Sequence, residues 1–385
     1  MFHPFPTIEN INDVLPHIQD REEFLVIDKG DFTVIQYAYV DKETFPGDFN
    51  LDLPSAIKRE CRGLVFCNKT GTLLRRPYHK FFNIGEREET QPNELSLSYC
   101  TILDKVDGTM IAPFILNDEV IWATKLVAMD FHEQIKEFVK SNPYYEHFVR
   151  TGFMQGYTCI FEWVAPDNRI VVEYTEPNLI LTAVRNMRYG DYVDYGVMAD
   201  IYSESIPVVG SLDFDGTIES LIEKIDSAEG LEGVVVRYDG AGQMVKLKSS
   251  WYIGLHKAKD FLSDEKSLVK LFIEGNMDDL KPHLLSEDLK RVEEFEVNLA
   301  NRIKNISIEI ESAVKIFKHV SRKDFSLNHS NKFDPLTAAA IFKFYGQDVD
   351  NDEVIPYVTK TISKYYNTNT SYKKIKEHWL NDISF

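Results

Sequence analysis

The sequence predicts an α+β protein in which a strand-rich N-terminal part is followed by an all-helical C-terminal part. Up to about residue 248 the chain repeatedly shows β-branched, aromatic and alternating apolar residues, which are strand signals. From residue 263 onward apolar residues instead recur every three or four positions, which is typical of helices. A chain of 385 residues is long enough for two domains with separate cores. We therefore predict a first domain over residues 1–256 and a helical domain over residues 257–385.

The composition is that of a folded cytoplasmic protein. Hydrophobic residues make up 44% of the chain and aromatic residues 12%, which excludes a disordered chain. The sequence contains neither a run of about eighteen apolar residues nor a basic-then-apolar start, so we expect neither membrane insertion nor secretion. The four cysteines lack the spacing of a disulfide framework. A net charge of −18 argues against a protein that coats nucleic acid, but it allows a local cleft of lysines assisted by Mg²⁺.

The first predicted element is a hairpin of two apolar segments, residues 24–28 and 32–40, which places Tyr37 on a strand face. Tyr37 could stack on a base or belong to the core. Next, a charged stretch leads into a strand, with Arg62 directly before a glycine. Residues 75–83 then combine four potential cations with three aromatic residues, which suits phosphate contact and base stacking. A solvated strand edge with two buried phenylalanines is the alternative.

The central stretch is residues 101–110, where an apolar run delivers Lys105 immediately before an Asp-Gly pair. This pattern predicts a tight turn with positive φ between two strands, the second covering residues 110–116. A lysine at a strand end, beside apolar residues that depress its pKa, can act as a nucleophile. The alternative is a solvated lysine in a surface hairpin.

Two further strands are predicted to carry charged side chains. Residues 120–126 carry Lys125, and residues 157–165 carry Glu162 among strongly β-prone residues. An amphipathic helix over residues 130–141 separates them. The Glu162 carboxylate needs a partner or a metal if it is buried, and the alternative is an outward-facing glutamate.

After a predicted helix over residues 217–228, the acid Glu232 leads another strand. Lys246 and Lys248 alternate onto one face of the strand that follows, as phosphate ligands or as an exposed edge. Trp251 and Tyr252 close the segment. Beyond it, periodic apolar residues from Leu289 to Phe317 predict one long helix.

Four motifs stand in a fixed order along the strand-rich part. They are Lys-x-Asp-Gly at 105–108, Phe-Glu-Trp-Val at 161–164, Leu-Glu-Gly-Val-Val at 231–235 and Val-Lys-Leu-Lys at 245–248. This set resembles the covalent nucleotidyltransferases, which include RNA ligases, DNA ligases and mRNA capping enzymes. Glu-Cys-Arg-Gly at 60–63, Arg-Pro-x-x-Lys-Phe-Phe-Asn at 76–83 and Lys-x-Lys-Ser-x-Trp-Tyr at 246–252 narrow the resemblance to the bacteriophage RNA ligase 1 family of T-even type.

The resemblance implies a nucleotidyltransferase domain built on antiparallel sheets, an ATP-grasp-like ligase fold, followed by a helical domain that selects RNA. It implies an ATP-dependent RNA ligase in which Lys105 attacks the α-phosphorus of ATP. Glu162 and Glu232 would hold the ribose and Mg²⁺ or Mn²⁺, and Lys246 and Lys248 would grip the α-phosphate. The other positions implied in nucleotide binding are Tyr37, Arg62, Lys80, Phe82, Lys125 and Tyr252.

By the same resemblance, the partner is RNA, in particular a nicked tRNA anticodon stem-loop. We expect a monomer in the cytoplasm, which is that of an infected bacterial host if a phage encodes the protein. Asp278 is a candidate metal ligand, and a helix N-cap with an acidic neighbour is the competing interpretation. A DNA ligase or capping enzyme would need about five strands of an OB barrel after Tyr252, where the sequence predicts helices. A catalytically inactive RNA-binding protein on the same scaffold is the remaining alternative.

Overall fold

The computed structural model describes residues 5–40, 43–45, 52–127, 131–238, 240, 242–284 and 286–385. The chain divides into two compact units, Met1–Ile253 and Gly254–Phe385. The sheets lie in the first unit, and the described residues of the second unit form helices without strands. The predicted α+β class is confirmed. None of the described helices is long and apolar enough to cross a membrane.

Strands and helices are numbered separately along the chain. The strands are β1 (Phe24–Asp28), β2 (Phe32–Tyr37), β3 (Arg62–Cys67), β4 (Leu73–Arg75), β5 (Phe82–Asn83), β6 (Cys100–Asp104), β7 (Thr109–Ile111), β8 (Phe114–Leu116), β9 (Glu119–Ile121), β10 (Tyr157–Val164), β11 (Asn178–Asn186), β12 (Gly233–Tyr238) and β13 (Met244–Lys248). The helices are α1 (Leu15–Ile18), α2 (Leu53–Glu60), α3 (His132–Lys140), α4 (Tyr144–Met154), α5 (Tyr195–Tyr202), α6 (Ile218–Asp226), α7 (Ser250–Leu262), α8 (Glu265–Glu274), α9 (Met277–Leu280), α10 (Ser286–Phe317), α11 (Arg322–Asn328), α12 (Pro335–Phe344), α13 (Asn351–Ser363) and α14 (Asn369–His378).

The strands form small sheets with the orders β1-β2-β3-β4, β11-β10-β7, β5-β13-β12-β6 and β8-β9. The pairs are antiparallel, as expected, except that β5 runs parallel to β13. The predicted hairpin at residues 24–40 is confirmed as β1 and β2. The strand predicted over residues 110–116 is instead divided, because β7 and β8 belong to different sheets. Lys125 lies after β9 in a loop, so the strand predicted there was too long.

The segment around Lys105 is not a hairpin. β6 pairs with β12, whereas β7 pairs with β10, so the chain crosses from one sheet to another between Asp104 and Thr109. Gly108 does not have the positive φ that the Asp-Gly pair predicted. Its need for glycine is steric, because a Cβ there would lie 2.4 Å from the carbonyl oxygen of Trp163. Lys105 therefore sits where two sheets meet.

The second unit has its own apolar core around α10. The predicted long helix is confirmed, and buried side chains follow its three-and-four spacing, among them Val292, Phe295, Leu299, Ile303, Ile306, Ile310 and Val314. α12 and α13 pack against α10. Because this core is built from residues of the second unit alone, the unit has the organisation of a separate folding module.

A buried ionic triad holds together distant parts of the first unit. Glu60, at the end of α2, accepts hydrogen bonds from Arg76 at 3.0 Å and from Arg185 on β11 at 2.8 Å, and all three side chains are at most 1% exposed. Arg76 also donates to the carbonyl oxygens of Pro6, Met187 and Arg188. Burial would raise the pKa of Glu60, but the charges of Arg185 and Arg76 outweigh it and lower the pKa to about 2.

Replacing Glu60 by glutamine is expected to destabilise the protein by about 3–5 kcal/mol at neutral pH, because two buried guanidinium groups lose their anion. The Glu60 pKa is about 2 in the folded protein against 4.5 unperturbed. The stabilisation is therefore present above pH 4.5 and is lost as the pH falls toward 2. Urea unfolding of both proteins across this range measures the difference. Glu9→Gln, at an exposed pair with Arg188, is the control with little expected effect. A difference for Glu60→Gln as small as the control's would contradict the role of the triad.

Candidate active site

Lys105 and Glu232 are brought together by the pairing of β6 with β12. Val234 lies opposite Asp104 in this pair, and the Lys105 backbone N–H donates to the carbonyl oxygen of Gly233 at 2.9 Å. Beside this backbone contact the side chains of Lys105 and Glu232 meet, and Lys105 Nζ lies 2.7 Å from Glu232 Oε2. Glu232 is only 4% exposed, so this ion pair is largely shielded from solvent on the carboxylate side.

Two more lysines reach the same place from β13. Lys246 and Lys248 lie opposite Val235 and Gly233 of β12, and their side chains share one strand face. Lys248 Nζ lies 2.9 Å from the second oxygen of Glu232, so this carboxylate bridges Lys105 and Lys248. Lys246 forms no ion pair with any described carboxylate. Burial first, and then the charges of Lys80, Lys105 and Arg62, lower the pKa of Lys246 to about 8.

Lys105, Lys246 and Lys248 line a pocket. Its lining contains both charged side chains and apolar or aromatic ones. The residues are Arg62, Asp104, Lys105, Glu162, Lys246 and Lys248, together with Tyr78, Phe81, Leu103, Val106, Met110, Thr182, Val209, Val235 and Met244. A pocket lined by both kinds of side chain can hold a ligand that carries a flat ring and anionic groups, as a nucleotide does.

Glu162 enters this pocket from β10. Its carboxylate is half-buried and receives no hydrogen bond from the part of the chain that the structure describes. Burial raises the pKa of Glu162 to about 8; the charge of Lys105 opposes this shift and that of Glu232 adds to it. A cation placed beside Glu162 would favour its charged form, so this carboxylate is suited to a metal or to a hydroxyl donor.

Arg62 lines the pocket, and Lys80 and Lys125 lie close to it outside the lining. Lys125 Nζ lies 4.4 Å from the Tyr37 ring centroid, and Lys80 Nζ lies 5.7 Å from it. Burial first, and then Arg62 and Lys80, lower the pKa of Lys125 to about 8. The loop of Lys125 is held by the buried Arg75, which donates to the Lys125 carbonyl oxygen at 3.1 Å. Like charges collected in this way favour an anionic ligand. Tyr37 is half-buried against Phe45, and cations lie over its ring.

Phe82 does not take the expected place. Its side chain is 2% exposed and belongs to the core with Phe45, so no base can stack on it. The neighbouring Phe81 lines the pocket instead, together with Tyr78. Of the four cations predicted at residues 75–83, Arg75, Arg76 and His79 are buried in the fold, and only Lys80 lies near the pocket. The alternation of strand faces, which separates Phe81 from Phe82, was the available signal.

Asp107 was not identified from the sequence as a site residue, yet it anchors the Lys105 segment. Its carboxylate is 2% exposed and accepts hydrogen bonds from the backbone N–H groups of Val171 and Val172 at 2.8 and 2.7 Å. It also accepts one from the Tyr252 hydroxyl at 2.8 Å. Tyr252 in turn packs its ring 4.7 Å from Lys248 Nζ. Burial and the nearby carboxylates raise the pKa of Tyr252, so its hydroxyl remains a donor. Tyr252 thus supports the lysines from outside the pocket lining.

Asp278 lies in the helical unit, in the first turn of α9. Its side chain is 95% exposed and lies 3.9 Å from Lys281 Nζ. The N-cap of this helix is Asn276, so Asp278 occupies a position where the helix dipole favours an acid without capping the helix. Throughout the described part of the chain, no group of three or more His, Cys, Asp or Glu side chains could hold a metal by itself.

Comparison with known proteins gives matches over most of the chain. The family described as RNA ligase matches residues 60–252, and the family described as T4 RNA ligase 1, C-terminal domain, matches residues 259–373. A protein of Thermovibrio ammonificans, assigned provisionally as an RNA ligase, is 31% identical over 279 residues, which is 70% of each chain. RNA ligase 1 of bacteriophage TS2126 is 29% identical over 309 residues, covering 75% of this chain and 72% of its own.

Among solved structures, an archaeal ATP-dependent RNA ligase aligns with a TM-score of 0.42 and 15% identity, over 76% of this chain and 78% of its own. The first family match contains every residue of the pocket, and the second match lies within the helical part. Both parts agree with the resemblance that the sequence motifs indicated. The chain therefore belongs to the RNA ligase family, with a C-terminal domain of the T4 RNA ligase 1 type.

Proposed function

We propose that this RNA ligase uses ATP to join RNA 5′-phosphate and 3′-OH ends, through a lysyl-AMP on Lys105 and an RNA-adenylate. One observation carries the proposal. Lys105 Nζ is held 2.7 Å from the buried Glu232, in a pocket where Lys246, Arg62 and the other cations collect without carboxylates to neutralise them all. A nucleophilic amine beside unneutralised positive charge is the arrangement that attack on a polyphosphate requires.

In the first step the Lys105 amine would attack the α-phosphorus, and the bond to the pyrophosphate oxygen would break. The amine must be neutral to attack, and Glu232, in direct contact with it, is placed to receive the proton. Lys246 and Lys248 would stabilise the negative charge that develops on the phosphate oxygens. The aromatic residues of the pocket, Tyr78 and Phe81, would hold the base.

In the later steps the adenylate would pass to an RNA 5′-phosphate, and an RNA 3′-OH would displace AMP. The same cations serve all three steps, because each is a displacement at a phosphorus with charge developing on its oxygens. Lys105 is the leaving group in the second step and takes no covalent part in the third.

The residues also fit a divalent cation. Mg²⁺ or Mn²⁺ needs only one or two carboxylates when substrate phosphates and water complete its shell, and Glu162 and Glu232 both reach this pocket or its edge. The Glu162 carboxylate, without a hydrogen-bond donor and with its pKa raised to about 8 chiefly by burial, is the group that such an ion would stabilise. When bound, the ion would neutralise phosphate charge and disfavour protonation of Lys105. Asp278, in the helical unit, remains a weaker candidate, since it is exposed and belongs to no described group of three or more His, Cys, Asp or Glu side chains that could hold a metal.

We further propose that the helical unit selects the RNA, in the form of a nicked tRNA stem-loop, and takes no part in the chemistry. The pocket lies within the first unit, and the second unit has its own core. Structured RNA is recognised largely through backbone and shape, which suits a separate module.

A protein truncated after Leu262, at the end of α7, is expected to label itself with AMP as the full chain does. It should join a nicked tRNA stem-loop less well than the full chain, while joining of unstructured single strands falls less. Ligation of both RNAs by both proteins measures the ratio. Loss of self-labelling in a truncated protein with intact sheet structure, or equal losses on both RNAs, would contradict the assigned role.

A DNA ligase or capping enzyme is disfavoured, because the described residues after Tyr252 form helices and not the strands of an OB barrel. A catalytically inactive RNA-binding protein is the other alternative. Incubation with α-phosphate-labelled ATP and Mg²⁺, followed by a denaturing gel and by joining assays on RNA and DNA, distinguishes them. Covalent label with RNA joining supports the proposal, and an unlabelled protein contradicts it.

A further inference from the structure

The buried ring of Phe82 is surrounded by three cations. The distances to its centroid are 4.7 Å for Arg87 Cζ, 4.9 Å for Lys80 Nζ and 5.1 Å for Arg59 Cζ. Each cation gains from the face of the ring, but the three repel one another. Three cations crowded together in a protein of net charge −18 indicate an anion-binding site.

The three cations differ in their partners. Arg59 has an anion of its own, since its Nη2 lies 2.6 Å from Glu89 Oε1. Glu86 is engaged by Asn83, whose backbone and side-chain N–H groups donate to it at 2.8 and 2.6 Å. Arg87 and Lys80 have no ion pair with a carboxylate in the described ranges. Burial, together with the charges of Arg62, Arg87 and Arg59, lowers the pKa of Lys80 against the opposing effect of Glu86.

The backbone of Arg87 is fixed in advance. Its N–H donates to Thr90 Oγ1 at 2.9 Å, and its carbonyl oxygen accepts from Gln91 Nε2 at 2.9 Å. The guanidinium, by contrast, makes no hydrogen bond or ion pair with a described residue. Its Cζ lies 4.7 Å from the centroid of the Phe82 ring, and its Nε is buried without a hydrogen-bond partner. Arg87 is half-buried, its backbone is already ordered and its guanidinium N–H groups are free to donate. Binding of an anion to it therefore costs little further conformational entropy.

This group of cations is joined to the pocket through the sheet. β5, which begins with Phe82, runs beside β13, where Asn83 lies opposite Lys246. The chain then continues from Ile84, whose N–H donates to the Lys246 carbonyl oxygen at 2.9 Å, into the loop that carries Arg87. The charges of Lys105 and Lys80 both act on Lys246, and Lys80 and Arg87 lie over the same Phe82 ring, so these four cations form a connected series from the nucleophile to Arg87. A polyphosphate whose α-phosphorus faces Lys105 would extend along this series.

We propose that Arg87 binds the pyrophosphate portion of ATP and the pyrophosphate that leaves it. The proposal rests on the proposed function. When the Lys105 nitrogen bonds to the α-phosphorus and the bond to the bridging oxygen breaks, the electron pair and added negative charge pass to pyrophosphate, and Arg87 stabilises that charge. Pyrophosphate is absent from the joining step, so Arg87 has no part in it.

The test compares wild type, Arg87→Gln and Arg87→Lys in the full-length protein. For Arg87→Gln we expect kcat/KM for ATP in self-labelling to fall on the order of tenfold or more, as for loss of a charged hydrogen bond. The pyrophosphate concentration that half-removes label from preformed protein–AMP should rise by a similar factor. Joining of an RNA supplied already adenylated should stay at the wild-type rate. Arg87→Lys should recover part of both losses. Arg188→Gln, at an exposed arginine over Tyr189 that is paired with Glu9, is the matched control.

Unchanged kinetics with ATP and pyrophosphate in Arg87→Gln would overturn the proposal. An equal fall in the joining of adenylated RNA would also overturn it, and would assign Arg87 to the RNA strand or to folding. If the wild-type protein takes no label from ATP, the proposed function fails and this inference fails with it. If the wild-type protein takes label from ATP and Arg87→Gln behaves as wild type does, the inference about Arg87 is wrong and the proposed function stands.

Discussion

Replacement of Lys105 by alanine or by arginine is expected to abolish labelling of the protein by α-phosphate-labelled ATP. Alanine removes the nucleophile, and an arginine guanidinium stays protonated at every accessible pH, so neither side chain can attack phosphorus. Arginine keeps the positive charge beside Glu232, which lies 2.7 Å from Lys105 Nζ, so it tests nucleophilicity separately from the ion pair. The measurement is covalent label on a denaturing gel after incubation with ATP and Mg²⁺.

Two controls accompany this experiment. Lys140→Ala, at an exposed lysine of α3 that is paired with Glu137, should label as wild type does. Joining of an already adenylated RNA should persist in Lys105→Ala, because that step does not pass through the lysine. Full labelling by either Lys105 variant would assign the nucleophile to another residue.

Lys246→Ala and Lys248→Ala are each expected to lower the rate of self-labelling at saturating ATP on the order of a hundredfold or more, as for removal of a preorganised charge-stabilising donor. The two losses have different physical origins. Lys246 has no ion pair among the described residues, so its charge is available to the phosphate. Lys248 is bound to Glu232 at 2.9 Å, and its loss also frees a carboxylate that bridges to Lys105.

Single-turnover rates at saturating ATP separate this effect from weakened binding. Lys224→Ala on α6, an exposed lysine, is the control that should leave the rate unchanged. If both site variants kept near-normal rates and only required more ATP, the lysines would bind the ground state and the transition-state role would be wrong.

Local structure was largely determined by the sequence itself. The apolar positions of α10 repeat every three or four residues, and the same residues are buried in the structure. Lys246 and Lys248, two apart on a strand, share a face as strand geometry requires. The order of the four motifs indicated the family, and both family matches confirm it. These features are readable because their physical cause acts over a few residues along the chain.

The tertiary structure decided what local patterns leave open. Phe81 and Phe82 are the same residue type, but Phe82 is buried in the core and Phe81 lines the pocket. The Asp-Gly pair after Lys105 predicted a hairpin, yet β6 pairs with β12 and β7 with β10. These partner strands lie far along the chain, so the local sequence pattern could not reveal them.

Charged residues show the same limit most clearly. Arg76 looked like a phosphate ligand, but Arg76 and Arg185 bury their charges against Glu60, which is 125 positions from Arg185. Asp107 is fixed by Tyr252 across 145 positions. A periodic pattern carries no information about such partners, since a charge can be buried only where the fold places an opposite charge or a hydrogen-bonding group beside it. The sequence alone therefore determined the elements and the chemistry-bearing motifs, and only the folded chain decided which cations face a substrate and which hold the protein together.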